Sequence, residues 1–201
     1  MVWKSYHRNL SHVFPQNVPI FFTWRLHGSL PAAVAPDRRA KPETHGGKFC
    51  RMDRHLDRAT SGPMWLKDQA IAGMVASRTE LGADRFKYYE LHEYVVMPNH
   101  VHMLLAPYVH PAVLMRLMKG VTARRANQML HRSGQPFWQD ESFDHWCRSV
   151  AELRKLREYI VMNPVKAGLA SRPQDYPWCS SHQRLLKKHA KLVQRGVVGK
   201  T

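Results

Sequence analysis

Residues 86–106 constrain the fold more than any other part of the chain. The stretches FKYYELHEYVVM (86–97) and VHMLLA (101–106) are apolar, aromatic and β-branched, with MPNH joining them. Such stretches form strands, and Pro98 and Asn99 are turn formers, so the segment predicts a β-hairpin, or at least two adjacent strands. Side chains alternate along a strand. His100 and His102 therefore share one face, while Val101 points to the other. Two imidazoles on one face of an anchored strand can share a metal ion. An HxH pair alone is weak evidence in a chain with 13 histidines. The turn at its edge and the basic chain around it add weight.

The remaining elements follow from periodicity and punctuation. VPIFFTWRL (18–26) reads as a first strand. GSLPAAVAPDRRAKPETHGG (28–47) is rich in Gly, Pro and charge and reads as a long loop, part of an insertion reaching residue 65. LKDQAIAGMVASR (66–78) has helical apolar spacing. Residues 111–130 place Val113, Leu114, Leu117, Met118 and Val121 on one helical face, with Arg116, Lys119, Arg124 and Arg125 opposite. Residues 133–146 read as an aromatic and acidic connector. Residues 149–163 read as a helix that Pro164 terminates. The sum is an α+β domain over residues 1–181, an antiparallel sheet with helices packed mainly on one face, followed by a basic tail over 182–201.

The last of these helices carries a candidate nucleophile. At about 100° per residue, Leu153, Leu156 and Ile160 form a core stripe, and Tyr159 lies at its margin. Asn163 follows four residues later on nearly the same side, so phenol and amide can converge. The plain alternative is a rim tyrosine with its ring on the core and its hydroxyl in water.

Charge narrows the partners. Lys and Arg number 31 against 15 Asp and Glu, a net charge of +16. That surplus points to a polyanion, with nucleic acid ahead of an anionic membrane. The tail has no acidic residue after Asp175 and carries Arg184, Lys187, Lys188, Lys191, Arg195 and Lys200. It reads equally as a solvated terminus or a backbone-binding arm. Cys50, Cys147 and Cys179 are too few and too scattered for a disulfide framework or a CxxC zinc site, and read as reduced thiols. His45 and His55 near Cys50 read as chance clustering. Neither a signal sequence nor a membrane span is evident, so the expected compartment is the cytoplasm.

Taken in order, these motifs resemble a known family. MPNHVHMLLAP (97–107) is similar to the HUH motif, His–hydrophobic–His, of tyrosine transposases. EYIVMNPVKAGLA (158–170) resembles the tyrosine-helix motif of the bacterial repetitive-element-associated tyrosine transposases. FFTWRLHGSLP (21–31), FWQDESFDHWCR (137–148) and DYPWCSS (175–181) resemble other segments of that family. The resemblance implies a ferredoxin-like antiparallel sheet, the HUH endonuclease fold. It implies His100, His102 and Asn163 as ligands of Mg²⁺ or Mn²⁺ and Tyr159 as the nucleophile. It further implies hairpin-bearing single-stranded DNA as substrate and a monomer or homodimer as the working form. The insertion over 28–65 departs from the family pattern.

Several functional expectations follow. Tyr159 attacks a phosphodiester, leaving a 5′-phosphotyrosine and a free 3′-OH that can later reverse the step. Arg116, Lys119, Arg124 and Arg125 are candidate DNA-backbone contacts, as are Lys155 and Lys166, which flank Tyr159 and can favour its phenolate. Neutral histidines are needed for ligation, so activity is expected to fall below about pH 6. Trp138, Phe143 and Trp146 read as core or rim aromatics, with base stacking as the alternative. The competing readings are a hairpin-binding protein that no longer cuts, a metal-dependent phosphohydrolase in which water attacks, and a basic scaffold with a structural metal.

Overall fold

The computed structural model describes residues 6–7, 11–12, 16, 18–30, 45–58 and 61–194. Four strands form one antiparallel sheet: β1 (Ile20–Arg25), β2 (Tyr89–Val96), β3 (His100–Pro107) and β4 (Phe143–Trp146), in the order β2-β3-β1-β4. Five helices surround it: α1 (His45–Asp57), α2 (Gln69–Asp84), α3 (Pro111–Met129), α4 (Val150–Lys166) and α5 (Ser180–Gln194). The expected antiparallel α+β sheet and the β2–β3 hairpin are both present, and the His-bearing strand lies in the sheet interior. The helices, expected mainly on one face, cover both, because both faces of the strands carry apolar side chains.

Strand alternation divides the core in two. Ile20, Phe22, Trp24, Val101, Met103 and Leu105 point to one face, where they pack against Ile71 and Val75 of α2 and Leu114 and Met118 of α3. Phe21, Val95 and Leu104 point to the other face, against Ile160 of α4 and Phe49 of α1. His100 and His102 belong to this second face, as the period-two pattern requires.

Four further sequence expectations need correction. The 28–47 loop gives way to α1 from His45 onward, whose Phe49, Met52 and Leu56 repeat at helical spacing behind two glycines. Residues 31–44 and 59–60 of the insertion lie outside the described residues. The 133–146 connector ends in β4, which pairs with β1 from Ile20↔Trp146 to Thr23↔Phe143. In α3, Val113 and Val121 are exposed, and the inward stripe runs through Leu114, Met115, Met118, Thr122 and Ala126 instead. Finally, Pro164 lies inside α4, which continues to Lys166. A proline in the last turn forfeits one helical hydrogen bond close to where the ladder ends anyway, so the chain tolerates it. The i, i+4 relation of Tyr159 and Asn163 is thereby kept within one helix.

An ionic cluster around one buried carboxylate seats α4 and α5 on the sheet. A register irregularity between Leu91 and Glu93 turns Glu93 inward, where its side chain is 2% exposed. Arg157 of α4 and Arg184 of α5 reach Glu93 at 3.1 and 2.9 Å, and the Ser180 hydroxyl donates to the same carboxylate. Arg157 lies two residues before Tyr159, so this carboxylate helps fix the tyrosine helix.

Candidate metal and tyrosine site

The two imidazoles are fully buried and held from behind. Asn99 Nδ2 donates to the Leu56 carbonyl at 2.9 Å, which orients the amide. Its Oδ1 then lies 2.6 Å from His100 Nδ1. An oxygen there requires Nδ1 to be the protonated nitrogen, leaving a lone pair on His100 Nε2. His102 Nδ1 is engaged by the Thr23 hydroxyl at 2.7 Å, across the Thr23↔His102 pair of β1 and β3. Both Nε2 atoms therefore turn to the same point and lie 3.0 Å apart. Oriented Nδ1 atoms behind converging Nε2 atoms are the usual support of a histidine metal ligand.

Helix α1 brings a carboxylate to that point. Asp53 Oδ1 is 3.2 Å from His102 Nε2 and 3.8 Å from His100 Nε2, with its side chain 4% exposed. Asp53, His100 and His102 are the three residues able to offer mutually close donor atoms to a metal, among the described residues. An octahedral ion with bonds of about 2.1 Å sets neighbouring donors about 3.0 Å apart and opposite ones about 4.2 Å apart. The observed separations fall in that range. The buried oxygens Asp53 Oδ1, Asp57 Oδ1, Asn163 Oδ1 and Tyr159 Oη have no hydrogen-bond partner. Uncompensated buried polar atoms are costly, and all four lie on α1 or α4, around the imidazoles or one turn from Tyr159. A hard divalent cation fits this donor set.

The electrostatics agree with a site built for a cation. Burial, reinforced by His102, pushes His100 down to about 3, so it stays neutral far into the acid range. The expected loss of activity below pH 6 by His100 protonation therefore does not follow, because desolvation opposes the charged imidazole. Burial alone would raise Asp53, but the adjoining His102 and His100 hold it below its ordinary value. Burial and the neighbouring Asp53 push Asp57 up to about 6.

Tyr159 stands beside the imidazoles. Its ring centroid is 5.5 Å from that of His102, edge to face, and 6.1 Å from both Phe21 and Phe49. Lys166 Nζ lies 5.6 Å from the ring centroid. Asn163, one turn on, is 1% exposed. Phe49 of α1 also stacks on Phe143 at 4.4 Å, so the insertion helix covers this side of the site. A cavity of about 110 Å³ reaches His100 from the other side, walled by Asp57, Lys67, Asn99, Ala167 and Leu169.

The candidate DNA contacts are dispersed. Arg116, Arg124 and Arg125 are exposed on α3, and Lys155 and Lys166 on α4. Lys119 instead donates to the Gln139 and Asp140 carbonyls at 2.7 and 2.6 Å. Trp138 is a core residue whose Nε1 donates to Thr122 at 2.9 Å. Cys147 and Cys179 are buried free thiols, and the Cys50 side chain lies outside the described residues. Sequence reading missed Asp53 and the amide role of Asn99. Asp53 sits in a segment that reads as insertion, and Asn99 reads as turn chemistry alone.

Residues 79–163 match the family described as "Transposase IS200 like", a span running from α2 through the hairpin to Asn163. A REP-associated tyrosine transposase of Escherichia coli (strain K12) is 25% identical over 100 residues, which are 49% of this chain and 58% of that relative. A solved REP-associated tyrosine transposase bound to a REP hairpin superposes with a TM-score of 0.54 at 18% identity, covering 92% of this chain and 87% of the other. The resemblance drawn from the motifs is thereby borne out, and the solved relative shares the fold. Among the described residues, no helix is long and apolar enough to cross a membrane.

Proposed function

We propose that this chain, whose residues 79–163 carry the IS200-like transposase pattern, is a metal-dependent single-stranded DNA transposase or endonuclease acting on hairpin-bearing repeats. The observation that carries the reading is the convergence of two imidazole Nε2 atoms 3.0 Å apart, with the Tyr159 ring 5.5 Å from His102. His100, His102 and Asp53 would hold Mg²⁺ or Mn²⁺, with Asn163 as a further donor from the tyrosine helix. When bound, such an ion supplies Lewis acidity toward a phosphodiester.

The chain's own residues supply the rest. α4 presents Tyr159 Oη to the phosphorus. A Tyr–O–P bond forms while the P–O3′ bond breaks, and the 3′ oxygen leaves with the electron pair and takes up a proton. The products are a 5′-phosphotyrosine and a free 3′-OH, and the energy kept in the phosphotyrosine bond allows the step to be reversed onto another strand. Lys166, whose Nζ lies 5.6 Å from the Tyr159 ring centroid, would be the cation beside the nucleophile. Arg116, Arg124, Arg125 and Lys155 offer sequence-independent phosphate contacts, which weaken as salt rises.

The test is a fluorescent hairpin-bearing oligonucleotide from the repeats flanking the gene, incubated with protein and Mn²⁺ and run on a denaturing protein gel. A labelled band lost in Tyr159→Phe, His102→Ala or EDTA is the expected result. Tight binding with neither adduct nor cleaved strand, across several hairpins and both metals, would leave a hairpin-binding protein that does not cut. A cleaved strand with no adduct would assign the attack to water.

A further inference from the structure

The side of the site nearest His100 carries a second carboxylate that no part of the proposed reaction uses. Asp57 Oδ1 is 3.8 Å from His100 Nε2, is buried, and has no hydrogen-bond partner. His100 has already committed its Nδ1 proton to Asn99, so its Nε2 presents a lone pair. Two acceptors thus face each other across 3.8 Å, as do His100 and Asp53. Acceptor facing acceptor in a poorly solvated place is repulsive unless a cation stands between them. Asp53 and Asp57 are i and i+4 on α1, so both carboxylates issue from one helical face.

We propose that Asp57, 3.8 Å from His100 Nε2 but outside the mutually close set of Asp53, His100 and His102, closes on the ion as a further metal donor, so that α1 clasps a divalent cation with its carboxylate pair against the two imidazoles. This rests on the metal-site reading above. It adds that the clasp comes from the insertion, outside the 79–163 segment that matches the transposase family. The second carboxylate adds oxygen character to a site that the two imidazoles make mixed, a set that suits Mn²⁺ better than an ion confined to oxygen ligands. Their two negative charges let the protein take up that ion before any DNA phosphate arrives. The Asn99 amide, shared between the Leu56 carbonyl and His100, ties the clasp to the hairpin turn.

The experiment is a Mn²⁺ titration of the metal-free full chain without DNA, followed by calorimetry and by the free-ion Mn²⁺ electron paramagnetic resonance signal. Wild type is compared with Asp57→Asn, Asp57→Glu and, as a charge control on α2, Asp84→Asn. Saturable binding by wild type is expected, weakened by roughly 10- to 100-fold in Asp57→Asn. Asp57→Glu should recover part of the loss, and Asp84→Asn should match wild type. Asp57→Asn within twofold of wild type would overturn the proposal, as would absence of saturable Mn²⁺ binding to wild type. An equal loss in Asp84→Asn would reduce the effect to net charge and overturn it too. The two readings fail separately. Adduct formation with unchanged Asp57→Asn affinity rejects the clasp alone. A weakened Asp57→Asn with no adduct on any hairpin rejects the cleavage reading alone.

Discussion

Replacing Asp57 with asparagine should stabilise the metal-free protein while diminishing its response to a divalent ion. The Asp57 carboxyl is pushed from its ordinary value of 3.8 up to about 6 by burial and by Asp53. A shift of about 2 units at about 1.4 kcal/mol each sets a ceiling near 3 kcal/mol for the cost of the ionised group at neutral pH. Its side chain is 21% exposed, and water relieves part of that. A gain of about 1–3 kcal/mol is expected from Asp57→Asn, or about 3–10 °C in Tm in EDTA for a chain of this size. The sign has a pH signature. A carboxylate with a raised folded pKa binds its proton more tightly in the fold. Its cost is therefore complete above about pH 6 and disappears as pH falls through 3.8. The Tm gap should be full at about pH 7.5 and closed by about pH 4. Saturating Mn²⁺ should narrow or reverse the gap, because wild type gains about 2.7 kcal/mol at a hundredfold excess over Kd and the weaker-binding variant gains less. Differential scanning fluorimetry in EDTA and in Mn²⁺ measures all of this. An Asp57→Asn Tm at or below wild type in EDTA, or a gap that ignores pH, would refute the reasoning.

Three other perturbations follow from the same structure. Glu93→Ala strips the shared partner from Arg157, Arg184 and Ser180; urea unfolding should report a loss of about 2–4 kcal/mol, below the full buried-pair cost because both arginines are half-exposed. Tyr159→Phe removes a buried hydroxyl that has no partner, so stability should stay within about 1 kcal/mol of wild type even though the adduct is lost, and a large Tm drop would mean the hydroxyl is structural. Gly82→Ala places a Cβ against the Tyr89 ring and hydroxyl, which donates to the Thr79 carbonyl at 2.6 Å; overpacking of about 1–3 kcal/mol is expected in thermal unfolding.

The sequence by itself determined the hairpin, the shared face of His100 and His102, and the α4 spacing of Tyr159 and Asn163. Each is a local consequence of period two or period 3.6, and neither period needs a partner element. Charge likewise pointed to a polyanionic partner, because net charge is a sum over residues. What composition obscured was α1, where glycine, charge and histidine hid an apolar repeat of Phe49, Met52 and Leu56. The carboxylates Asp53 and Asp57 lie about 45 residues before the histidines, and no periodicity links segments so far apart. Only tertiary packing decided that link. The Phe49 ring stacked on Phe143 and the Leu56 carbonyl bound to Asn99 press α1 onto the sheet. That contact turns a loop-like insertion into the third side of the candidate metal site, because donor convergence depends on distances in space and not along the chain.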